Sequence, residues 1–168
     1  MNRSSLRIFP LVALLALLVS ACTIYVRPGT VSDVDVDLSD VIVDFRPTRG
    51  EGATYYVGEE IEFYVDTTQS GYVTLSAIDP DGSVYVFSRN IPVGPGRTVL
   101  PLPSQRVAFS AAPPRGFHRV RAHFTPGRTD ETVTYRGRYG DGEWTSAITL
   151  EIRAYPVRDV EETYLYIR

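Results

Sequence analysis

Lysine is absent from this sequence of 168 residues; all 17 basic side chains are arginine. No fold requires that, and GC-rich coding explains it without a functional demand. Cysteine occurs once, at Cys22, which excludes a disulfide within the chain, a cysteine-based zinc site and a redox pair. Histidine occurs only at His118 and His123, so imidazole chemistry near neutral pH has two places to reside. Net positive charge is missing too. With 20 acids against 17 arginines the formal charge is -3 and the pI about 5.4, which argues against a general nucleic-acid binder. What is present is 43% hydrophobic and 22% charged, the balance of one globular domain. The 13 Gly, 12 Pro and 11 Tyr favour short strands joined by turns over helices.

Arg3 and Arg7 precede an apolar run at 8–19 that meets Ser20-Ala21-Cys22, the three parts of a signal peptide. The run falls short of the roughly 20 apolar residues that span a bilayer. Leu18-Val19-Ser20-Ala21-Cys22 resembles the lipobox of bacterial lipoproteins, which implies cleavage before Cys22 and acylation of its thiol. Two or more acyl chains anchor stably where one does not. The resemblance therefore implies an extracytoplasmic, membrane-anchored lipoprotein, and Thr23 in place of Asp favours the outer membrane or cell surface over the inner membrane. An ordinary secretory signal cut at the same bond is the alternative. The expected organisation is a signal peptide at 1–21, a lipidated tether at 22–30 and a folded domain at 31–168.

Within that domain, period-two alternation dominates. Val34, Val36 and Leu38 oppose Asp33, Asp35 and Asp37; Val41, Val43 and Phe45 continue the apolar side; Ile61, Phe63 and Val65, then Val73, Leu75 and Ala77, repeat the pattern. Asp79-Pro80-Asp81-Gly82 is a hairpin-turn signal, with Gly82 free to take a positive φ. Strands are expected at 83–88, 117–124, 132–139, 144–154 and 160–167, with Trp144, Ser146, Ile148, Leu150 and Ile152 on one face and no helix in the folded domain. The fold class is all-β: a single antiparallel β-sandwich of the Ig-like or Greek-key type, with about eight strands.

Tyr56-Val57-Gly58-Glu59 before the strand at 61–65, Gly71-Tyr72, the turn at 79–82, Asn90 and Gly94, and Pro114 with Gly116 together resemble the bacterial domain family DUF4384, over about 55–124. The resemblance implies a β-rich extracytoplasmic module and carries no active site with it.

Charge is segregated by block. Residues 28–81 carry a net -10, residues 82–129 carry +7 with no acid at all, and residues 130–168 carry -3. On a strand at 117–124, His118, Val120, Ala122 and Phe124 face inward and Arg119, Arg121 and His123 outward, a pattern that Arg136 and Arg138 repeat. Arg119, Arg121, Arg136 and Arg138 are thus the candidate contact face for an anionic envelope polymer or an envelope protein complex, in a non-catalytic binding or assembly subunit of the outer envelope or surface layer. The alternative is that this face pairs with the row Asp33, Asp35 and Asp37 of the same chain. An exposed row would suit calcium, although Leu38 stands where an EF-hand loop has glycine. The chain is compatible with a homo-oligomer.

No strand-turn-helix elbow around a serine and no glycine-rich phosphate loop frames a catalytic site, and no cofactor is expected. Gly116-Phe117-His118 resembles the start of the copper-ligand motif of copper/zinc superoxide dismutases, which implies His118 and His123 as copper ligands of a copper-only enzyme. That family has its second histidine two positions on, whereas the offset here puts the two rings on opposite faces. A third reading is a glycan-binding module that stacks sugars on Trp144 and tyrosine rings. Three exposed rings in one cluster would mark it.

Overall fold

The computed structural model describes residues 25–26, 37–130, 134–135 and 137–168. Cys22, where lipidation is expected, the expected tether apart from residues 25–26, Asp33 and Asp35 of the acidic row, and Arg136 lie outside the described residues.

Two sheets pack face to face. The larger joins β3 (Thr54–Tyr55), β12 (Asp159–Ile167), β10 (Gly116–Thr125), β6 (Gly71–Ile78) and β7 (Val84–Val93) in that spatial order; the smaller joins β2 (Ile42–Pro47), β5 (Phe63–Thr67) and β8 (Gly96–Leu100). Two short ribbons complete the set: β1 (Tyr25–Val26) with β11 (Thr134–Tyr135), and β4 (Glu60–Ile61) with β9 (Phe109–Ser110). Pairing is antiparallel except for β1 with β11 and β3 with β12. Phe45, Phe63, Val65 and Leu100 of the small sheet meet Val73, Leu75, Val120, Ala122, Phe124 and Leu165 of the large one in a continuous core. Each fully buried Leu or Phe there contributes about 1.5–3 kcal/mol. The expected all-β sandwich is the fold.

Its second face is where expectation and structure part. The stretch 144–152 forms not a strand but helix α1 (Asp141–Ile152), which covers the outer face of the large sheet. Trp144, Ala147, Ile148 and Ile152 are buried, a spacing of i, i+3, i+4 and i+8 that satisfies the helical period as fully as alternate residues satisfied the strand period. Local chemistry favours the helix. The Gly140 backbone N–H donates to the Glu143 carboxylate at 2.7 Å, and Asp141 and Glu143 place negative charge in the first turn, where the helix dipole is positive. The second core consists of Ile78, Val84, Tyr135, Tyr139, Trp144, Ala147, Ile148 and Ile152.

Two smaller corrections follow from backbone irregularity. Val43 is 59% exposed, not in line with buried Val41 and Phe45, because a bulge between Ile42 and Asp44 shifts the register. Asp37 and Leu38, the described end of the expected first strand, are exposed and outside any strand.

Candidate functional site

The turn at 79–82 forms as its residues dictate. Gly82 takes φ +84°, its N–H donates to the Asp79 carbonyl at 2.9 Å, and the Ser83 N–H donates to the Asp81 carboxylate at 2.9 Å. This turn presents Asp79 to the start of β10. A Cβ on Gly116, where φ is +138°, would come within 2.8 Å of Pro80, so glycine lets the strand start against the turn. His118 follows. Its Nδ1 meets the Asp79 carboxylate at 3.0 Å and its Nε2 the Pro114 carbonyl at 2.8 Å. Burial pushes the Asp79 carboxyl upward, and burial with the neighbouring carboxylate pushes the Tyr85 phenol upward. His118 is buried on the inner face, as its strand position predicts.

His123 is not on the surface. It is wholly buried beneath α1, 3.8 Å from the Glu151 carboxylate, and among the described residues neither ring nitrogen has a hydrogen-bond partner. Sequence alternation correctly put it opposite His118, but that opposite face is covered too. Desolvation lowers its pKa to about 4. Glu151 is also paired with Arg89 and accepts from the Tyr135 hydroxyl. Burial opposes the Glu151 charge, and its neighbours His123 and Arg89 with that hydroxyl outweigh burial and hold the carboxyl below its ordinary range. The strand thus separates the two histidines by its thickness and does not bring them to one metal.

Arg119 and Arg121 stand side by side on the helix-covered face of β10, and their donors are spent inside the molecule. Arg119 donates from Nε and Nη2 to Glu162 and from Nη2 to Asp141, each at 2.7 Å. Arg121 donates to Glu162 at 2.7 Å, to Asp141 at 2.8 Å and to the Thr145 hydroxyl at 2.8 Å. Two cations meet two anions. The Glu162 hydrogen bond raises the Arg119 pKa; burial opposes ionisation of Asp141, and the two guanidiniums overcome it and hold that carboxyl low. Arg138 lies elsewhere, 75% exposed and 3.5 Å from Asp81. Arg97 reaches Asp44 and Asp66 across the small sheet. The segregated blocks therefore neutralise one another in space, through Asp44, Asp66, Asp141, Glu151 and Glu162.

Beyond the N-terminal end of α1 no other described element covers the same sheet face, and there it carries rings. Phe117 pairs with Tyr166, and Arg119 with Tyr164, in the β10–β12 register. The Phe117 ring lies 5.4 Å from that of Tyr164 and 5.5 Å from that of Tyr166, and the two tyrosines are 6.3 Å apart. Phe117 is 42% and Tyr166 40% exposed. Outward tyrosines at alternate positions, Tyr164 and Tyr166, were the available sequence signal; their meeting with Phe117 was not readable. Trp144, the expected stacking platform, is fully buried with its indole N–H 3.3 Å from the Ser76 hydroxyl.

Between the sheets, beside Asp79, Tyr85 and His118, lies a cavity of about 360 Å³ walled by Phe63, Phe87 and Phe109. Among the described residues no helix is long and apolar enough to cross a membrane.

Residues 54–128 match the family model DUF4384, a domain of unknown function; the chain carries a DUF4384-like domain there. The match holds β3 to β10 and leaves out β2, α1 and β12. No curated protein and no solved structure matches the chain.

Proposed function

We propose that this chain is a non-catalytic binding and assembly subunit of a bacterial outer envelope or surface layer, held at the membrane by lipid on Cys22, and that it engages a protein partner through Phe117, Tyr164 and Tyr166. The ring cluster carries the reading. Single exposed apolar residues are ordinary, whereas clustered aromatic side chains are what protein interfaces enrich. Interplanar angles of 44°, 53° and 89° offer knobs for a partner's pockets more than a flat shelf for a sugar. Tyr164 and Tyr166 come from β12, outside the DUF4384 match, and Phe117 from β10 within it, so this chain's added strand completes the face on the common domain. Arg119, with its charge balanced by Glu162 and Asp141, sits at the rim.

The test is a Phe117→Ser, Tyr166→Ser double variant expressed in its own cells, with envelopes solubilised and run on native gels. The expected result is loss of a high-mass species that contains the parent chain, at an unchanged melting temperature. Retention of that species by the variant overturns the reading. A variant that instead stops sedimenting with purified cell-wall polymer, with no protein complex in the parent, favours the glycan reading that three clustered rings also support.

A further inference from the structure

We propose that the slot between the sheets beside the β6–β7 turn binds a small uncharged molecule with an apolar body of about two rings and one hydrogen-bond donor, of the aryl alcohol class. This site is on the other face of the large sheet from the ring cluster, and it stands whether or not that cluster docks a partner.

Size sets the first limit. A cavity near 150 Å³ accommodates benzene, so one of about 360 Å³ accommodates a body about twice as large. The walls set the second. Phe87 and Phe109 meet edge-on, 5.1 Å apart at 85°, and Phe63 lies 6.4 Å and 6.3 Å from them. Tilted phenyl rings of this kind accept another ring on a face or an edge.

Polar groups decide the rest. Asp79, Tyr85 and His118 converge on one wall. Both His118 nitrogens meet acceptors, the Asp79 carboxylate and the Pro114 carbonyl, so both carry protons in this geometry, or Asp79 carries one of them; in either case the pair has no net charge. Burial raises the Asp79 pKa, which fits a proton shared within the pair. No unbalanced charge is left to recognise a cation or an anion. The Asp79 carboxylate offers lone pairs, and the Tyr85 hydroxyl in the same lining accepts as well as donates. A ligand that donates one hydrogen bond is therefore matched here. Of the 15 lining residues, 13 fall within 54–128, so the slot belongs to the DUF4384-like domain and not to the added elements.

The experiment is equilibrium dialysis of 2-naphthol against the full chain in a fixed detergent, with 2-methoxynaphthalene and 2-naphthoate as matched probes. Ala112 lines the mouth and is exposed, so Ala112→Trp fills the slot without touching the core; its uptake in the same detergent gives the background. The expected result is one 2-naphthol per chain above that background, about tenfold weaker binding of each matched probe, and about tenfold weaker 2-naphthol binding to Tyr85→Phe, the loss of one hydrogen bond. Equal uptake by the parent and by Ala112→Trp overturns the proposal, as does parent binding that ignores the hydroxyl. Melting curves of both variants that overlay the parent's are required for the comparison. If either variant melts early, Ala108→Trp and Tyr85→Leu replace them on the same criteria.

Discussion

The guanidinium carbon of Arg121 lies 4.1 Å from the centroid of the Trp144 ring. A residue in the middle of β10 thereby grips the first turn of α1 by its π face while its nitrogens hold Glu162, Asp141 and Thr145. Strand, neighbouring strand and helix meet at this one side chain, whose exposure is only 9%.

Removing it leaves two carboxylates short of a partner and a ring without its cation. Arg121→Ala is expected to cost about 1–3 kcal/mol, because Arg121 itself is buried over the indole, while its partners Asp141 and Glu162 are 61% and 34% exposed and their share is screened. Arg119→Ala is expected to cost less than about 1 kcal/mol, since its side chain is 25% exposed and partly exposed pairs are screened. Urea unfolding of the two variants measures the difference; equal losses would deny the Arg121–Trp144 contact its special weight.

His123 gives the fold a dependence on acid. Its pKa is about 4 when folded against about 6.5 in an open chain. The folded state holds the neutral ring, so stability is full above the unfolded value and declines as pH falls from about 6.5 to 4, by on the order of 3 kcal/mol. Melting temperature measured at steps across that window should fall more steeply for the parent than for His123→Leu. Parallel curves would mean that the ring is charged, or wet, in the native state.

Asp159 is a second anchor. Its Oδ2 accepts the backbone N–H groups of Val41 and Ile42, both at 2.7 Å, and the residue is buried. Asp159→Ala strands two buried donors and is expected to cost about 2–4 kcal/mol, while Asp159→Asn keeps an acceptor and recovers part of it. Amide exchange at Val41 and Ile42 should quicken with the alanine change before exchange in β10 does.

Steric closure at Gly71 supplies a check on the main core. A Cβ there would lie 2.4 Å from the Phe124 ring and 2.6 Å from the Thr125 carbonyl. Gly71→Ala is expected to destabilise by about 1–3 kcal/mol through overpacking, read as a lowered melting temperature. Phe124→Leu in the same chain should return part of the loss by clearing the ring.

Partner binding through Phe117, Tyr164 and Tyr166 should be indifferent to ionic strength, since the adjacent arginines are already neutralised within the chain. Raising salt from about 0.05 to 0.5 M shortens the Debye length severalfold. Association that collapses over this range would return the contact to the arginines.

Sequence by itself determined a good deal. Alternation at 61–65, 73–77 and 117–124 fixed the strands and their inward residues, Asp79-Pro80-Asp81-Gly82 fixed the turn, and the offset from His118 to His123 fixed their opposite sides. Each of these depends on residues within a few positions of one another, where the period of a strand or the freedom of a glycine acts directly. What lay across from a strand was another matter. Residues 144–152 satisfy two periods at once, and the open face of the large sheet, which needed cover, together with the capping at Gly140 and Glu143, selected the helix. The arginine pairs, the ring cluster and the slot join residues far apart in the chain, such as Arg119 with Glu162 and Phe117 with Tyr166. Their adjacency comes from the register of β10 against β12 and the packing of two sheets and a helix, which chain-local chemistry does not encode and tertiary structure alone decides.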